Sequence, residues 1–265
     1  MTLNLQEQLI GIGAGSSIVM LALWALQIRT KDAGVVDVAW SALLGSAAVF
    51  AAMTGAGDVE RRVLMSLMGG VWGLRLALHL LFDRVLKGPE DGRYLHMREQ
   101  FGARVNFVFF WVFQAQAMLV VILCLPFLLA SADGHRGLTF VDFAALALWL
   151  IGISGETIAD RQLANFKKRT ESSGRVCDVG LWRYSRHPNY FFEWLMWCAY
   201  ALLAVPAQHG WIGIFSPALI LLFVLKITGI PPTEARALKS RGDAYRAYQK
   251  STSAFFPWFP KASQS

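Results

Sequence analysis

Seven stretches of this chain are each apolar over roughly the 20 residues that a helix needs to cross a bilayer. They cover about 8–28, 34–54, 63–82, 107–130, 138–159, 190–206 and 211–229. Together they use most of the 265 residues. The pattern therefore predicts one all-α integral membrane domain over 1–265, with seven transmembrane helices and no room for a separate soluble domain. A hydrophobic content of 55% and a mean hydropathy of +0.42 fit that class better than the roughly 45–50% of soluble domains. The first stretch lacks a basic segment before it and a small-residue cleavage site after it, so a removed signal peptide is not expected.

Charge sets the expected orientation. With the N-terminus outside, the inner segments 29–33, 83–106, 160–189 and the tail from 230 hold 20 of the 25 Lys and Arg residues, and the outer segments hold 3. That is a positive-inside pattern with a cytoplasmic C-terminus. The net charge of +7 then reports topology, and no basic stripe interleaved with aromatics points to nucleic acid. Cys124, Cys177 and Cys198 are isolated, without metal-like or CxxC spacing, and read as small apolar residues. No metal site is expected. Gly11-Ile12-Gly13-Ala14-Gly15 imitates part of a dinucleotide fingerprint, but it lies inside an apolar span and not in a βαβ unit. Close helix packing accounts for it, and for Gly69, Gly70 and Gly73, more simply.

Ionisable residues within apolar spans are costly unless paired or facing a polar cavity. Asp37, Arg75, His79, Glu156, Asp160, Glu193 and Lys226 are of this kind. A structural reading pairs Asp37 with Arg75 between neighbouring helices. A functional reading gathers the whole set around a polar chamber open to the cytoplasm. Glu156, Asp160 and Lys167 share one face of a helix continuing out of the fifth span, and Asn189, Glu193 and Trp197 share one face of the sixth. Between them runs a loop holding Lys167, Lys168, Arg169, Arg175, Arg183 and Arg186. It ends in Trp182-Arg183-Tyr184-Ser185-Arg186-His187-Pro188-Asn189, with Pro188 suited to a first helical turn. Cations beside a helix N-terminus make an anion site, and carboxylates beyond it suit ribose or amide groups. The expected ligand is a nucleotide cofactor. In the tail, Pro231-Pro232 is expected to stop the seventh helix. A cytoplasmic helix follows over Glu234 to Lys250, with Glu234 and Arg241 as further ligand candidates. Phe255-Phe256-Pro257-Trp258-Phe259-Pro260 reads as an aromatic anchor in the lipid interface.

Several of these residues carry a resemblance. Glu156-Thr157-Ile158-Ala159-Asp160, Gly180-Leu181-Trp182-Arg183-Tyr184, Asn189-Tyr190-Phe191-Phe192-Glu193-Trp194 and Tyr248-Gln249-Lys250-Ser251 with Pro257 resemble the steroid 5α-reductase family of membrane enzymes. The likeness is strongest over 155–265. Ser185-Arg186-His187-Pro188-Asn189-Tyr190, Asp37-Val38-Ala39-Trp40 and Glu90-Asp91-Gly92-Arg93-Tyr94 are similar to its bacterial branch. The resemblance implies a seven-helix protein of a bacterial inner membrane that binds NADPH from the cytoplasmic side. It would reduce a 3-oxo-Δ4 steroid or a related lipophilic enone. It further implies cofactor contacts from Asp160, Lys167, Arg175, Asn189 and Glu193, to which the loop and tail add Glu156, Arg183, Tyr184, Arg186, His187, Glu234 and Arg241. Glu156 stands where steroid-reducing relatives carry asparagine. The third span lacks the family's tyrosine, and the second has Asp37 in place of a glutamate pattern.

Hydride addition to an enone develops charge on the carbonyl oxygen, which a hydrogen-bond donor stabilises. Tyr94, His79 and, in its protonated form, Asp37 are the candidate donors. The apolar stretches Leu119–Leu129 and Trp194–Leu203 suit a steroid-like substrate beside membrane lipid. Two rivals remain open at this stage. Membrane methyltransferases of the isoprenylcysteine type share an Arg-His-Pro turn and an acidic-basic tail like Glu234-Ala235-Arg236, but S-adenosylmethionine has no phosphate for so many cations. A non-enzymatic transporter or lipid-binding protein would use the chamber as a pathway, yet the broken, paired spans that mark transport are missing.

Overall fold

A computed structural model describes residues 2–86, 90–168 and 174–261. Every regular element among the described residues is helical. The helices are α1 (Leu5–Thr30), α2 (Val35–Thr54), α3 (Val59–Leu80), α4 (Gly92–Phe101), α5 (Val105–Leu123), α6 (Leu125–Ala132), α7 (Phe140–Lys167), α8 (Pro188–Ala204), α9 (Phe215–Leu222) and α10 (Ile230–Ser251). They group into two compact units. The first is Met1–Asp142 with Leu203–Gly213, and the second is Phe143–Leu202 with Ile214–Ser265.

Among the described residues six helical stretches are long and apolar enough to cross a membrane: Leu5–Thr30, Val35–Thr54, Val59–Asp83, Gly92–Ala132, Phe140–Lys167 and Gly210–Ser251. The stretch expected over 190–206 is α8, only 17 residues long. At ~1.5 Å per residue it measures about 25 Å, short of the roughly 30 Å hydrocarbon core. The stretch expected over 107–130 is two helices joined at Cys124, because Pro126 stands in the first turn of α6 and lacks an N–H to continue α5. The tail differs too. After α9 a π-helical turn, Phe223–Ile227, runs to Gly229. Pro231 and Pro232 then open α10, where their missing N–H groups cost nothing, and do not merely end the helix before it. The apolar part of Gly210–Ser251 lies before Gly229, and α10 carries the charges.

In the first unit, α2 and α3 approach closely. A Cβ on Gly73 would lie 2.6 Å from the Cα of Gly45, so packing does explain this glycine. Gly15 has open space around its Cβ position, so close packing does not explain that residue. A buried ion cluster joins the starts of α3 and α7. Arg61 is fully buried and donates to Asp142 from Nε at 2.9 Å and from Nη2 at 2.8 Å, and it also pairs with Asp133. Asp142 accepts further bonds from Thr139 N and Oγ1, both at 2.7 Å. Such a cation is tolerable in the interior only because it is paired and hydrogen-bonded. In the second unit, α7 and α8 pack tightly: a Cβ on Gly152 would meet Met196 at 2.5 Å, and one on Gly155 would meet the Phe192 ring at 2.4 Å.

Candidate functional site

The second unit holds most of the residues expected to bind a cofactor. α7 runs unbroken to Lys167 and so carries Glu156, Asp160 and Lys167 on one helix, as their spacing predicts. Glu156 is buried, Asp160 half-buried and Lys167 exposed. α8 begins at Pro188, and Asn189 in its first turn donates from Nδ2 to Asp160 Oδ1 at 3.4 Å. Two of the expected ligands therefore meet across α7 and α8. Glu193, one turn further on, is half-buried. Arg169 lies outside the described residues.

The segment before α8 is fixed by motif residues together with Gln162, which the sequence did not single out. Gln162 Oε1 accepts the Leu181 N–H at 2.9 Å, and Trp182, buried, donates from Nε1 to the Ala159 carbonyl at 2.9 Å. Gly180 sits at φ +59°, where a side chain would strike Gln162 at 2.3 Å, so only glycine suits that turn. Tyr248 donates its hydroxyl to the Trp182 carbonyl, and Ser185 donates to the Phe255 carbonyl at 2.8 Å. Arg183 and Tyr184 are left exposed on this braced turn, as is Arg175 beyond it. The Arg175 carbonyl accepts from Arg241 Nε at 2.9 Å, which brings another predicted cation beside it.

Arg186, His187 and Glu234 are brought together, but their polar atoms meet one another. Glu234 Oε1 accepts from Arg186 Nε at 2.7 Å and lies 3.3 Å from His187 Nε2, while Glu234 Oε2 accepts from Gln249 at 2.7 Å. Arg186 Nη1 also donates to the carbonyls of Gln249 and Thr252, at 3.1 and 2.5 Å. His187 stacks on Tyr190 with 3° between the ring planes. Burial of Glu234 opposes its ionisation. The hydrogen bonds from His187, Arg186 and Gln249, with the Arg186 charge, outweigh that and hold its carboxyl down at about 2. This cluster clasps α10 to the turn before α8, with Gln249 as its fourth member.

The first unit holds the other candidates. Asp37, near the start of α2, accepts from the Tyr94 hydroxyl at 3.0 Å on Oδ1 and from Arg93 Nη2 at 2.5 Å on Oδ2. Arg93 is shared with Asp91, whose Oδ1 caps α4 and accepts from Arg93 Nε at 3.1 Å. Tyr94 is 5% exposed, and its ring packs edge-on against Phe109 in the apolar core of this unit. Asp37 thus acts as a double acceptor for α4. Sequence reasoning quoted Arg93 but gave it no role. Next to this group, Arg98 bonds Glu90 at 2.6 and 2.9 Å and Gln27 at 3.0 Å, fixing α4 to α1. His79 is exposed on α3 and does not join Asp37 and Tyr94 in these contacts.

Residues 23–252 match the DUF1295 family, described as proteins of unknown function. The chain belongs to the DUF1295 family. A relative of similar extent is "Uncharacterized protein C594.04c" of Schizosaccharomyces pombe, 25% identical over 274 positions that cover 89% of this chain and 75% of the relative. Two shorter matches are to mammalian proteins named 3-oxo-5-alpha-steroid 4-dehydrogenase 1. The Bos taurus protein is 40% identical over 65 residues, 24% of this chain and 25% of its own length. The Mus musculus protein is 33% identical over 70 residues, 26% of this chain and 28% of its own length. This DUF1295 member therefore spans only about a quarter of the steroid dehydrogenases it matches. No solved structure matches it.

Proposed function

We propose that this DUF1295 protein is a membrane reductase that saturates the double bond of a lipophilic enone, with a 3-oxo-Δ4 steroid as the model substrate. The observation that carries the reading is the Asp37–Tyr94–Arg93 cluster, a buried phenol held at 3.0 Å by a carboxylate that a guanidinium also holds. The local identity to 3-oxo-5-alpha-steroid 4-dehydrogenases supports the class of reaction. In this reading both ends of the orientation argument apply: N-terminus outside, seven spans with α8 as the short one, and the basic loop in the cytoplasm.

The donor set suits NADPH. Exposed Lys167, Arg175 and Arg183, with half-buried Arg241, provide cations for its phosphates, while Asp160 with Asn189, and Glu156 and Glu193, provide acceptors for hydroxyl and amide groups. Tyr184, exposed beside Arg183, offers a ring face. When bound, NADPH supplies the hydride that the β-carbon receives. The chain's own part is at the carbonyl oxygen and in excluding water. Tyr94 turns its single hydroxyl proton from Asp37 to the developing enolate oxygen. Asp37 stays compensated through Arg93 when that happens, so the switch leaves no bare carboxylate. A well-aimed donor of this kind stabilises the enolate by about 2.7–4 kcal/mol. A proton taken from solvent at the α-carbon completes the balance, so that enone, NADPH and one proton would give the saturated ketone and NADP+. His79, exposed on α3, is left without a part in this scheme.

A second reading has one observation behind it. The Arg186-His187 turn and Glu234, the two pieces shared with isoprenylcysteine-type methyltransferases, meet at 2.7 and 3.3 Å. One experiment separates the readings: purified protein is incubated with progesterone and NADPH, NADH or no nucleotide, and in parallel assayed for bound S-adenosylmethionine. A dihydro product formed with NADPH supports the reductase. Bound S-adenosylmethionine without reduction replaces it with the methyltransferase.

A further inference from the structure

One face of α3 repeats at helical spacing, with Arg62, Val63, Ser66 and Leu67 side by side. Against it lies the end of α2, where Ala52 and Met53 complete a groove of about 230 Å³. Its floor is the small pair Ala52 and Ser66, and its walls are the exposed apolar side chains Met53, Val63 and Leu67.

Arg62 closes the end nearest the turn between α2 and α3, the level at which headgroups meet two adjoining apolar helices. Its guanidinium is held fixed, with Nε donating to the Gly57 carbonyl at 3.0 Å and Nη1 to the Ala52 carbonyl at 2.7 Å. Among the described residues no carboxylate pairs with it. A guanidinium has five N–H donors, so the Nη2 edge remains for an outside acceptor. A fixed cation at the head of an apolar trough, with no carboxylate paired to it among the described residues, suits an anionic headgroup joined to an acyl chain, and a phosphate oxyanion is the anion that membrane lipids most commonly offer.

We propose that this groove is a binding site for a membrane glycerophospholipid, with its phosphate on Arg62 and one acyl chain along Val63, Ser66 and Leu67. The site stands apart from the reductase reading and does not depend on it.

Native mass spectrometry of the full chain released from detergent tests it, with dioleoylphosphatidylglycerol and dioleoylglycerol as probes. These lipids share their chains and differ in the phosphate. The wild-type protein is expected to retain the phospholipid at least tenfold more than the diacylglycerol. Arg62→Gln should lower phospholipid retention to the diacylglycerol level. Ser66→Trp, which fills the floor and leaves the Arg62 bonds intact, should lower retention of both. Arg29→Gln, which removes an exposed cation at the end of α1, should change neither. Equal retention of the two lipids by the wild type overturns the proposal, and so does equal loss in Arg29→Gln and Arg62→Gln. Undiminished binding in Ser66→Trp removes the acyl-chain groove. Should Arg62→Gln not fold, the wild-type lipid pair and Ser66→Trp decide the matter.

Discussion

The Asp37 cluster in the first unit and the Glu234 cluster in the second use the same parts: one acid, one arginine and one ring-bearing side chain. They differ in what happens when a partner leaves. Glu234 is bonded by Arg186, His187 and Gln249, and Arg186 also ties down two backbone carbonyls. Removing any member opens the clasp between α10 and the turn before α8. Asp37 keeps Arg93 when Tyr94 turns away, and Arg93 keeps Asp91. A cluster that tolerates the departure of one donor can lend that donor to a substrate, whereas a closed cluster serves the fold. In the proposed reading, that difference leaves Tyr94 as the donor available to a substrate and Arg186, His187 and Glu234 as braces of the fold.

The sharpest way to break that contrast is Tyr94→Phe. It should lower turnover by about 10²–10³-fold, the effect of losing one oxyanion donor, while thermal stability and NADPH affinity stay near wild type. Full activity in this variant would mean that Tyr94 only packs. Glu234→Ala should do the reverse. By stranding Arg186 and His187 it should cost about 3–5 kcal/mol of stability, seen as a lower melting temperature in detergent, and activity should fall only with the folded fraction.

The same cluster predicts a pH dependence. The Glu234 carboxyl has a folded pKa of about 2, below the roughly 4.3 of an unfolded chain. Its stabilisation is therefore complete above pH ~4.3 and is lost as the pH falls toward 2. Acid titration of the wild type and Glu234→Gln should show the wild type losing its advantage across that window. Parallel curves would contradict the clasp.

A smaller effect sharpens the second unit's other half. Lys167, Arg175 and Arg183 are exposed, unlike Arg186. Replacing each with Ala should raise the Michaelis constant for NADPH by about tenfold, the worth of one charge-assisted bond, and leave the melting temperature unchanged. Unchanged cofactor affinity in all three variants would remove the anion loop.

Much of this arrangement was legible beforehand. Apolar stretches located the helices, the i, i+4 spacing placed Glu156 and Asp160 on α7, and Pro188 marked the start of α8. Tyr94 and Asp37 were both singled out, though not as partners, because nothing local in sequence joins residues 57 positions apart. Arg186 and His187 stand out by residue type, and a motif does not show the distant acid, Glu234, that both also meet. For the same reason the sequence gives no sign of the buried Arg61 pair, its partner Asp142 being 81 residues away. The tail was misread at Pro231-Pro232 because proline both ends and opens helices, and the π turn that decides between them depends on packing. Gln162 gave no signal, since a glutamine that braces a backbone has no spacing of its own.

The most direct test is a single-turnover experiment with NADPH deuterated at the transferred position, comparing wild type and Tyr94→Phe with progesterone after NADPH binding has been measured for both. The expected result is deuterium on the β-carbon of the saturated product from the wild type, and transfer at least a hundredfold slower from a Tyr94→Phe protein that binds NADPH equally well. A wild-type product without deuterium, or equal transfer rates in the two proteins, would contradict the role assigned to the Asp37–Tyr94 pair.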